Sequence, residues 1–353
     1  MRSRPREVAL LFPGQGAQHT RMAAGLYGVE PVFSRTIDTV LDLFGDDRGL
    51  REAWLSDEPR VPLDDVTRAQ PLLFTVGYAL GCMVLHWGVR PAALLGHSVG
   101  ELVAATLAGV FDLEDAVALM RDRVARLATT PPGGMLTVSA SESDLHPVLS
   151  HHPKVAIGAV NAPRQTVLTG FDAPLRAISA ELDTTGFTVL PVAARNAFHS
   201  PALAPLFKDL GPLDDYVLRS PRIPLWSTFA VDRLDGETAR NPVLWANQLI
   251  APVLFWPTLD KLLNSGHYLL ADVGPGQGLA MVARRHSEVK LTHSAVTALL
   301  PARSGIPEAD RKAVAQWLRQ VHAEGHRIEP GMRGTAGFEP GSSGPLCRPH
   351  TVR

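Results

Sequence analysis

The chain has 353 residues, of which 45% are apolar and 20% are charged, and its formal net charge at pH 7 is -1. This length and composition allow a substantial buried core, organised as one large domain or two smaller ones. The nearly neutral balance of charge favours neither nucleic acid nor a membrane as a partner. Cys82 and Cys347 are too few for a disulfide framework or a cysteine-based metal site. We therefore expect a cytoplasmic protein with no bound metal.

The N-terminal half of the sequence alternates between apolar strands and amphipathic helices. Val8 to Phe12 is predicted to be a buried first strand, too short for a secretory signal or a membrane span, and Pro13-Gly14-Gln15-Gly16 ends it. Helices are predicted over residues 22–44, over 71–87 with Pro71 in the first turn, and over 99–109, and a strand over 92–95. This alternation predicts an α/β layer with a mainly parallel sheet.

A glycine-flanked serine lies where the second strand meets its helix, in Gly96-His97-Ser98-Val99-Gly100. Glycines on both sides of a serine permit the sharp strand-to-helix turn that exposes a nucleophilic hydroxyl. Five residues of this kind also recur by chance. A tight turn with an idle serine is therefore the alternative until partners for Ser98 are found.

A further helix is predicted after Phe111, with Asp112 as its N-cap and an apolar stripe that ends at Leu127. On a helical wheel Arg123 projects roughly 70° from the centre of that stripe, the nearest arginine to the buried face. A partly buried guanidinium needs an anionic or carbonyl partner. Both a structural salt bridge and a bound ligand satisfy this need, so both interpretations stay open.

The character of the sequence changes after residue 130. Short strands are predicted at 135–138, 155–160, 166–169 and 188–192, with a helix at 175–185, which is typical of an inserted ferredoxin-like subdomain. The predicted organisation is a large subdomain over 1–129 and 195–300, the small subdomain over 130–194, a C-terminal helical segment over 301–328, and a tail over 329–353. The tail is rich in Gly, Pro and Ser, so we expect it to be disordered and without catalytic role.

A nucleophilic serine needs a base, which is normally histidine. His199 is the leading candidate among 13 histidines, because it lies at the predicted subdomain junction, where clefts form. We expect His97 to support the turn, since neighbours on a sharp turn point apart, and His151 and His152 to be solvated. No cluster has zinc spacing, and the glycine loops match neither dinucleotide-binding nor P-loop patterns.

Taken together, these residues carry a family resemblance over roughly Val8 to Leu300. The chain resembles the malonyl-CoA:acyl-carrier-protein transacylases, and within that family the acyltransferase domains of modular polyketide synthases. The motifs that carry it are Phe12-Pro13-Gly14-Gln15-Gly16-Ala17-Gln18, Gly96-His97-Ser98-Val99-Gly100-Glu101, Pro132-Gly133-Gly134-Met135, Val160-Asn161-Ala162-Pro163, Ala197-Phe198-His199-Ser200-Pro201, residues 247–255, and Asp272-Val273-Gly274-Pro275-Gly276. Their number and order make the resemblance specific. A tight turn whose serine has no chemical role is therefore no longer the favoured interpretation.

The resemblance implies an α/β-hydrolase-like large subdomain with a parallel sheet and an inserted ferredoxin-like small subdomain. It also implies a ping-pong reaction without a bound cofactor, in which Ser98 takes an acyl group from a CoA thioester and His199 is the general base. The phosphopantetheine thiol of an acyl carrier protein then accepts the group. Backbone N–H groups of Gln15 and Val99 would form the oxyanion hole, and the backbone carbonyl of Leu254 would orient the histidine.

The same resemblance assigns the residues that would contact the substrate. Arg123 matches the arginine that pairs with the free carboxylate of a malonyl group, and Phe198 matches a residue that disfavours an α-methyl group. His97, Asn161 and Asn196 complete the implied substrate site.

Two positions depart from the family pattern. Asn196 stands where malonyl-type domains usually carry histidine, and Leu254 replaces an arginine. The first difference leaves the choice of acyl group open, and the second removes a positive side chain near the site.

The sequence thus predicts a malonyl transferase, acting in trans, that loads a carrier for polyketide or fatty-acid synthesis. A transferase that moves an unusual acyl group between carriers is one alternative. An acyl-thioester hydrolase that clears stalled carriers is another, although such enzymes tend to lack the carboxylate-binding arginine.

Overall fold

The computed structural model describes residues 5–45, 49–207, 209–303 and 305–328. Two β-sheets and the helices packed on them make up this part of the chain. The strands are β1 Glu7–Phe12, β2 Ala93–Gly96, β3 Gly133–Val138, β4 Ala156–Ala162, β5 Gln165–Phe171, β6 Val189–Pro191, β7 Leu225–Ser227, β8 Asp232–Arg233, β9 Tyr268–Asp272 and β10 Ala295–Ala298.

The helices surround both sheets. They are α1 Pro31–Phe44, α2 Leu50–Leu55, α3 Val66–His86, α4 Val99–Ala108, α5 Leu113–Leu127, α6 Glu142–His151, α7 Asp172–Thr184, α8 Gly236–Ala239, α9 Pro242–Asn247, α10 Phe255–Ser265, α11 Gly278–Ala283, α12 Ser287–Lys290 and α13 Pro307–Ala323. Short 3-10 helices occur at Ala24–Leu26, Pro201–Phe207 and Gly211–Asp214.

The larger sheet has the strand order β10-β9-β1-β2-β7-β8 and is parallel except for the β7–β8 pair. Apart from the exposed Glu7 at the start of β1 and the buried Asp272 at the end of β9, its central strands are apolar and buried, as expected for a parallel sheet covered by helices on both faces. The register pairs Phe12 with Gly96, so β1 and β2 end side by side. The loop after β1 and the turn that carries Ser98 therefore lie next to each other at one edge of the sheet.

The smaller sheet has the order β4-β5-β3-β6 with antiparallel neighbours throughout. Together with α6 and α7 it forms the β-α-β-β-α-β arrangement of a ferredoxin-like subdomain. This sheet has a core of its own, built from Val138, Leu145, Leu168, Ile178 and Leu182. The predicted fold class is thus confirmed, whereas the exact subdomain bounds stay predictions and the tail lies outside the described residues.

Helix α3 begins five residues before the predicted start. The Asp65 side chain accepts a hydrogen bond from the Thr67 N–H and caps the helix, so Pro71 lies inside the helix and not in its first turn. By length and composition α3 could cross a membrane, but 89% of its apolar 18-residue window is buried inside the protein. It is the central helix of the core.

The predicted N-cap position of Asp112 in α5 is confirmed, but its side chain makes no capping bond and its carboxylate pairs instead with Arg219 at 2.7 Å. Two other local predictions need correction. The predicted helix 22–44 is a 3-10 turn followed by α1. Helix α6 is absent from the prediction, and it begins with a capping box between Ser141 and Asp144.

Candidate active site

The serine turn has the geometry that its glycines predict. Ser98 joins β2 to α4 with φ 56 and ψ -118, a backbone conformation that is strained for a residue with a side chain. A Cβ on Gly96 would lie 2.1 Å from the Glu101 nitrogen, and one on Gly100 would lie 2.0 Å from the Phe12 oxygen. Gly96 is therefore required where the end of β2 packs against the start of α4, Gly100 is required where α4 packs against the end of β1, and the predicted elbow is confirmed.

His199 is the partner of Ser98. Its Nε2 lies 2.6 Å from the Ser98 Oγ, and both side chains are buried. Its Nδ1 lies 3.0 Å from the Ala251 carbonyl oxygen and 3.1 Å from that of Gln248. Because a carbonyl oxygen can only accept, Nδ1 carries the proton and Nε2 is free to accept the serine proton. Burial lowers the pKa of His199 to about 4, with further contributions from His97 and Arg123.

The prediction that the Leu254 carbonyl orients His199 is wrong. That carbonyl accepts hydrogen bonds from the Oγ1 of Thr258 at 2.7 Å and from its N–H at 3.2 Å. Leu254 is the N-cap residue of α10, so its carbonyl points along that helix and not toward the histidine. The loop that precedes it supplies the two carbonyls that hold His199, from Gln248 and Ala251.

Two backbone N–H groups lie at the base of the turn. Val99 is the first residue of α4, and Gln15 is in the loop after β1. Within the described part of the chain neither N–H donates to a protein acceptor. The Gln15 side chain is held by Gln70 at 2.9 Å and by the Ala193 carbonyl at 3.1 Å, which fixes the loop that carries its N–H. These two N–H groups are thus available to an oxyanion.

A cavity of about 710 Å³ opens above the serine, between the large sheet and the small one. The predicted site residues that line it are Gln15, His97, Ser98, Asn161, Phe198 and His199. His97 Nε2 lies 2.9 Å from the Asn161 Oδ1, so the turn is linked to β4 of the small sheet. Burial lowers the pKa of His97 and favours its neutral form.

Asn196 does not line this cavity, contrary to the prediction that it contacts the substrate. Its side chain is buried, and Nδ2 donates to the Leu127 carbonyl and to the Thr130 hydroxyl, both at 2.9 Å. It therefore ties the end of α5 to the segment that leads into Phe198. Phe198 itself is 1% exposed and forms part of the cavity wall.

Arg123 is buried, as the helical wheel predicts, with 5% of its surface exposed. Its Nη2 donates to the Trp245 carbonyl at 2.6 Å and its Nη1 to the Gln248 Oε1 at 3.2 Å. Burial lowers its pKa to about 10, so the guanidinium keeps its charge near neutral pH. The sequence leaves open an anionic or a carbonyl partner for Arg123, and the structure shows carbonyl groups. No described carboxylate lies within ion-pair distance of the guanidinium. Neither Arg123 nor its partner Gln248 lines the cavity.

Gln248 is the residue that sequence reasoning missed. Its backbone carbonyl holds His199, its Oε1 accepts from Arg123, and its Nε2 donates to the Ser98 carbonyl at 3.4 Å. One buried glutamine thus contacts the serine, the histidine and the arginine. The signal that could have found it is its place in the 247–255 motif segment, within which the resemblance points to Leu254 instead.

A parallel α/β sheet with a serine on a strained elbow, paired with a histidine held by backbone carbonyls, defines a serine-dependent acyl-transfer enzyme. The family model described as "Acyl transferase domain" matches residues 9–320, and the chain belongs to this family. It is an acyltransferase of the family that includes polyketide synthase domains, with Ser98 and His199 as its serine–histidine pair.

The similar proteins include polyketide synthase proteins and FabD. A phenolphthiocerol/phthiocerol polyketide synthase protein of Mycobacterium tuberculosis is 39% identical over 82% of this chain, and the chain spans 19% of that protein. The acyltransferase domain of the second module of the salinomycin polyketide synthase has a TM-score of 0.82 at 29% identity, covering 92% of this chain and 75% of that one. FabD from Acinetobacter baumannii shares the fold, with a TM-score of 0.79 at 22% identity over 90% of this chain and 99% of that one.

Proposed function

We propose that the enzyme transfers a malonyl group from CoA to the phosphopantetheine thiol of an acyl carrier protein, through an ester on Ser98. The proposal rests on the 2.6 Å contact between Ser98 Oγ and His199 Nε2. The buried Arg123 is connected to Ser98 through Gln248, whose side chain accepts a hydrogen bond from Arg123 and donates one to the Ser98 carbonyl. The contact supplies the nucleophile and its base. The guanidinium supplies a positive charge for the acyl carboxylate.

Acylation begins when His199 Nε2 accepts the hydroxyl proton of Ser98. The Oγ then forms a bond to the thioester carbon, and the oxygen of that carbonyl becomes an oxyanion held by the N–H groups of Gln15 and Val99. Loss of one such donor typically costs about 3 to 4 kcal/mol in transition-state stabilisation. When the intermediate collapses, the carbon–sulfur bond breaks and His199 returns its proton to the CoA sulfur.

The malonyl carboxylate is proposed to bind Arg123, which does not line the cavity, so the carboxylate has to extend beyond the cavity wall to reach the guanidinium. Among the described residues, two of the five guanidinium N–H donors have protein acceptors, at 2.6 and 3.2 Å, and the other donors are proposed to bind the carboxylate. A related acyltransferase domain of SpnD, 28% identical with a TM-score of 0.83 over 92% of this chain and 78% of that one, is described in complex with 2-(pent-4-yn-1-yl)malonyl. That relative supports a malonyl-type acyl group here.

Deacylation reverses the same steps with a different thiol. His199 Nε2 takes the proton of the phosphopantetheine thiol, the sulfur attacks the ester carbon, and the Ser98 oxygen leaves and recovers the proton. The cavity is lined mainly by apolar side chains, among them Met135, Val167, Leu190 and Met281, which suits a long, mostly neutral thioester arm.

The test is a partition experiment. The enzyme is incubated with malonyl-CoA, with and without a holo carrier protein, and malonyl-carrier and free malonate are both quantified. We expect malonyl-carrier to dominate when the carrier is saturating, and the Ser98→Ala variant to form neither product above the uncatalysed rate. Dominant release of free malonate at saturating carrier would make the protein a hydrolase and would contradict the proposal.

A further inference from the structure

A single arginine lines the cavity above Ser98. Among the described residues of the cavity wall, Arg303 is the only lysine or arginine, and none is an aspartate or a glutamate. The acyl-transfer steps above give this guanidinium no role. A cavity wall of this composition attracts an anionic group.

The arginine lies at the open end of the cavity, whereas the nucleophile lies at its closed end. Ser98 and His199 are 5% and 2% exposed. Arg303 is exposed. Leu190 and Met281, which line the same cavity, are 60% and 54% exposed. An anion that binds Arg303 therefore belongs to a part of the substrate that stays near the protein surface while the thioester reaches Ser98.

The backbone that leads to Arg303 is anchored, but the side chain is unpaired. This segment follows β10, and the carbonyl of the buried Leu300 accepts a hydrogen bond from the Gln277 Nε2 at 2.9 Å. Gln277 lines the cavity itself. The Arg303 guanidinium makes no ion pair or hydrogen bond with another described residue. Its five N–H donors are therefore available to a ligand.

Both substrates of the proposed reaction carry an anion at the matching place. CoA and a holo carrier protein each present their sulfur at one end of a pantetheine arm, and the other end of that arm is a phosphate. The arm between them is uncharged, which suits the mainly apolar cavity wall. A guanidinium matches a phosphate well, because its planar N–H groups donate two parallel hydrogen bonds to the phosphate oxygens.

We propose that Arg303 binds the phosphate at the outer end of the phosphopantetheine arm, both in the acyl-CoA donor and in the holo carrier protein. The inference rests on the proposed function, in which both substrates carry this arm. Arg303 does not touch the reacting carbonyl. It holds the outer end of the arm while the sulfur end reaches Ser98, so the same residue serves acylation and deacylation.

The test removes the guanidinium and the phosphate separately. Arg303→Ala and the unaltered enzyme are compared in Ser98 acylation by malonyl-CoA, acetyl-CoA, malonyl-phosphopantetheine and malonyl-pantetheine, the last of which lacks the phosphate. We expect kcat/KM to fall by about three- to tenfold for the first three and to change by less than about twofold for malonyl-pantetheine. The KM for the holo carrier in deacylation should rise by a similar factor.

Two further variants serve as controls. Arg303→Lys keeps the charge without the planar fork and should lose less than Arg303→Ala. Arg319→Ala removes an exposed arginine of α13 that does not line the cavity, and it should change every value by less than about twofold. Because Arg303 is exposed and unpaired among the described residues, its substitution should leave folding intact.

Four results would overturn the proposal. An equal loss with malonyl-pantetheine would indicate a structural role. A loss with the two CoA thioesters but not with malonyl-phosphopantetheine would assign Arg303 to the nucleotide end of CoA. A loss with malonyl-CoA but not with acetyl-CoA would assign it to the acyl carboxylate, and an unchanged KM for the holo carrier would exclude a shared site. If no thioester acylates Ser98 in the unaltered enzyme, the proposed function itself fails, whereas normal acylation that is insensitive to Arg303→Ala contradicts this inference alone.

Discussion

The Nε2 of His199 lies 2.6 Å from the Oγ of Ser98, although 101 positions separate the two residues in the sequence. Both residues have positive φ angles without being glycine, 57 for His199 and 56 for Ser98. Such strained positions persist only where the surrounding structure fixes them. Here the two backbones are held so that the side chains meet.

The first prediction concerns pH. His199 must be neutral to accept a proton, and burial lowers its pKa to about 4. The neutral form therefore persists below pH 6.5, the ordinary pKa of a histidine side chain, and activity is lost only as the pH approaches 4. We expect the acid limb of kcat/KM for malonyl-CoA to have its midpoint well below 6.5. Rates of Ser98 acylation measured by rapid quench between pH 4 and 8 test this, with circular dichroism as the control for folding. A midpoint at or above 6.5 would contradict it.

The second prediction separates binding of the carboxylate from a structural role of Arg123. The Arg123→Ala variant loses a charge-assisted pair with the acyl carboxylate, so kcat/KM for malonyl-CoA should fall by about 100-fold or more. Acetyl loading, which needs no such pair, should be retained or increase. The control is Arg121→Ala, an exposed arginine two positions earlier on the same helix. Equal losses on both substrates would indicate that Arg123 only supports the fold.

The third prediction concerns Gly100, two residues after the nucleophile. A Cβ on Gly100 would lie 2.0 Å from the Phe12 carbonyl oxygen and 2.8 Å from that of Pro13, and these backbone atoms cannot move aside as the end of a flexible side chain can. We expect Gly100→Ala to destabilise the protein by about 3 kcal/mol or more and to abolish loading. At Gly28, where nothing lies within 4 Å of an added Cβ and only its φ of 80 opposes alanine, the same substitution should cost about 1 kcal/mol. Chemical denaturation compares the two, and similar losses would refute the packing argument.

The fourth prediction follows from the position of Asn196. Its two donated hydrogen bonds, to Leu127 and Thr130, lie away from the cavity. Asn196→Ala should therefore lower the free energy of unfolding by about 1 to 2 kcal/mol. The ratio of malonyl to acetyl loading should stay within about twofold of the starting value. The control is Thr166→Val, which removes another buried hydrogen bond in the small sheet. A shift in the ratio for Asn196→Ala alone would show that this residue affects selectivity.

Residues set by local patterns could be predicted from the sequence. Glycines around Ser98 restrict the backbone to one kind of turn, and a 3.6-residue periodicity places Arg123 on the buried face of its helix. His199 is recognisable because it stands at a junction between two predicted subdomains. In each of these cases the physical cause lies within a few residues of the feature.

Features that depend on distant contacts could not be predicted in this way. Whether Leu254 or Gln248 supplies the backbone carbonyl that orients His199 depends on the conformation of the loop that contains them. That conformation is visible only in the folded structure. Asn196 is close in sequence to Phe198, which suggests a place in the substrate site, but its side chain turns to the end of α5. Helix α3 begins before Pro71, because Asp65 caps it at Val66. Packing in the core outweighs the backbone hydrogen bond that the proline cannot donate.

Ser98 is proposed to carry the acyl group, and intact-protein mass spectrometry detects that ester on the protein itself. The enzyme is incubated with malonyl-CoA, quenched in acid and weighed beside Ser98→Ala. We expect a mass increase of one malonyl group on the unaltered enzyme, located to the peptide that contains Ser98, and no increase on the variant. Labelling that persists in Ser98→Ala, or that maps to another residue, would contradict it.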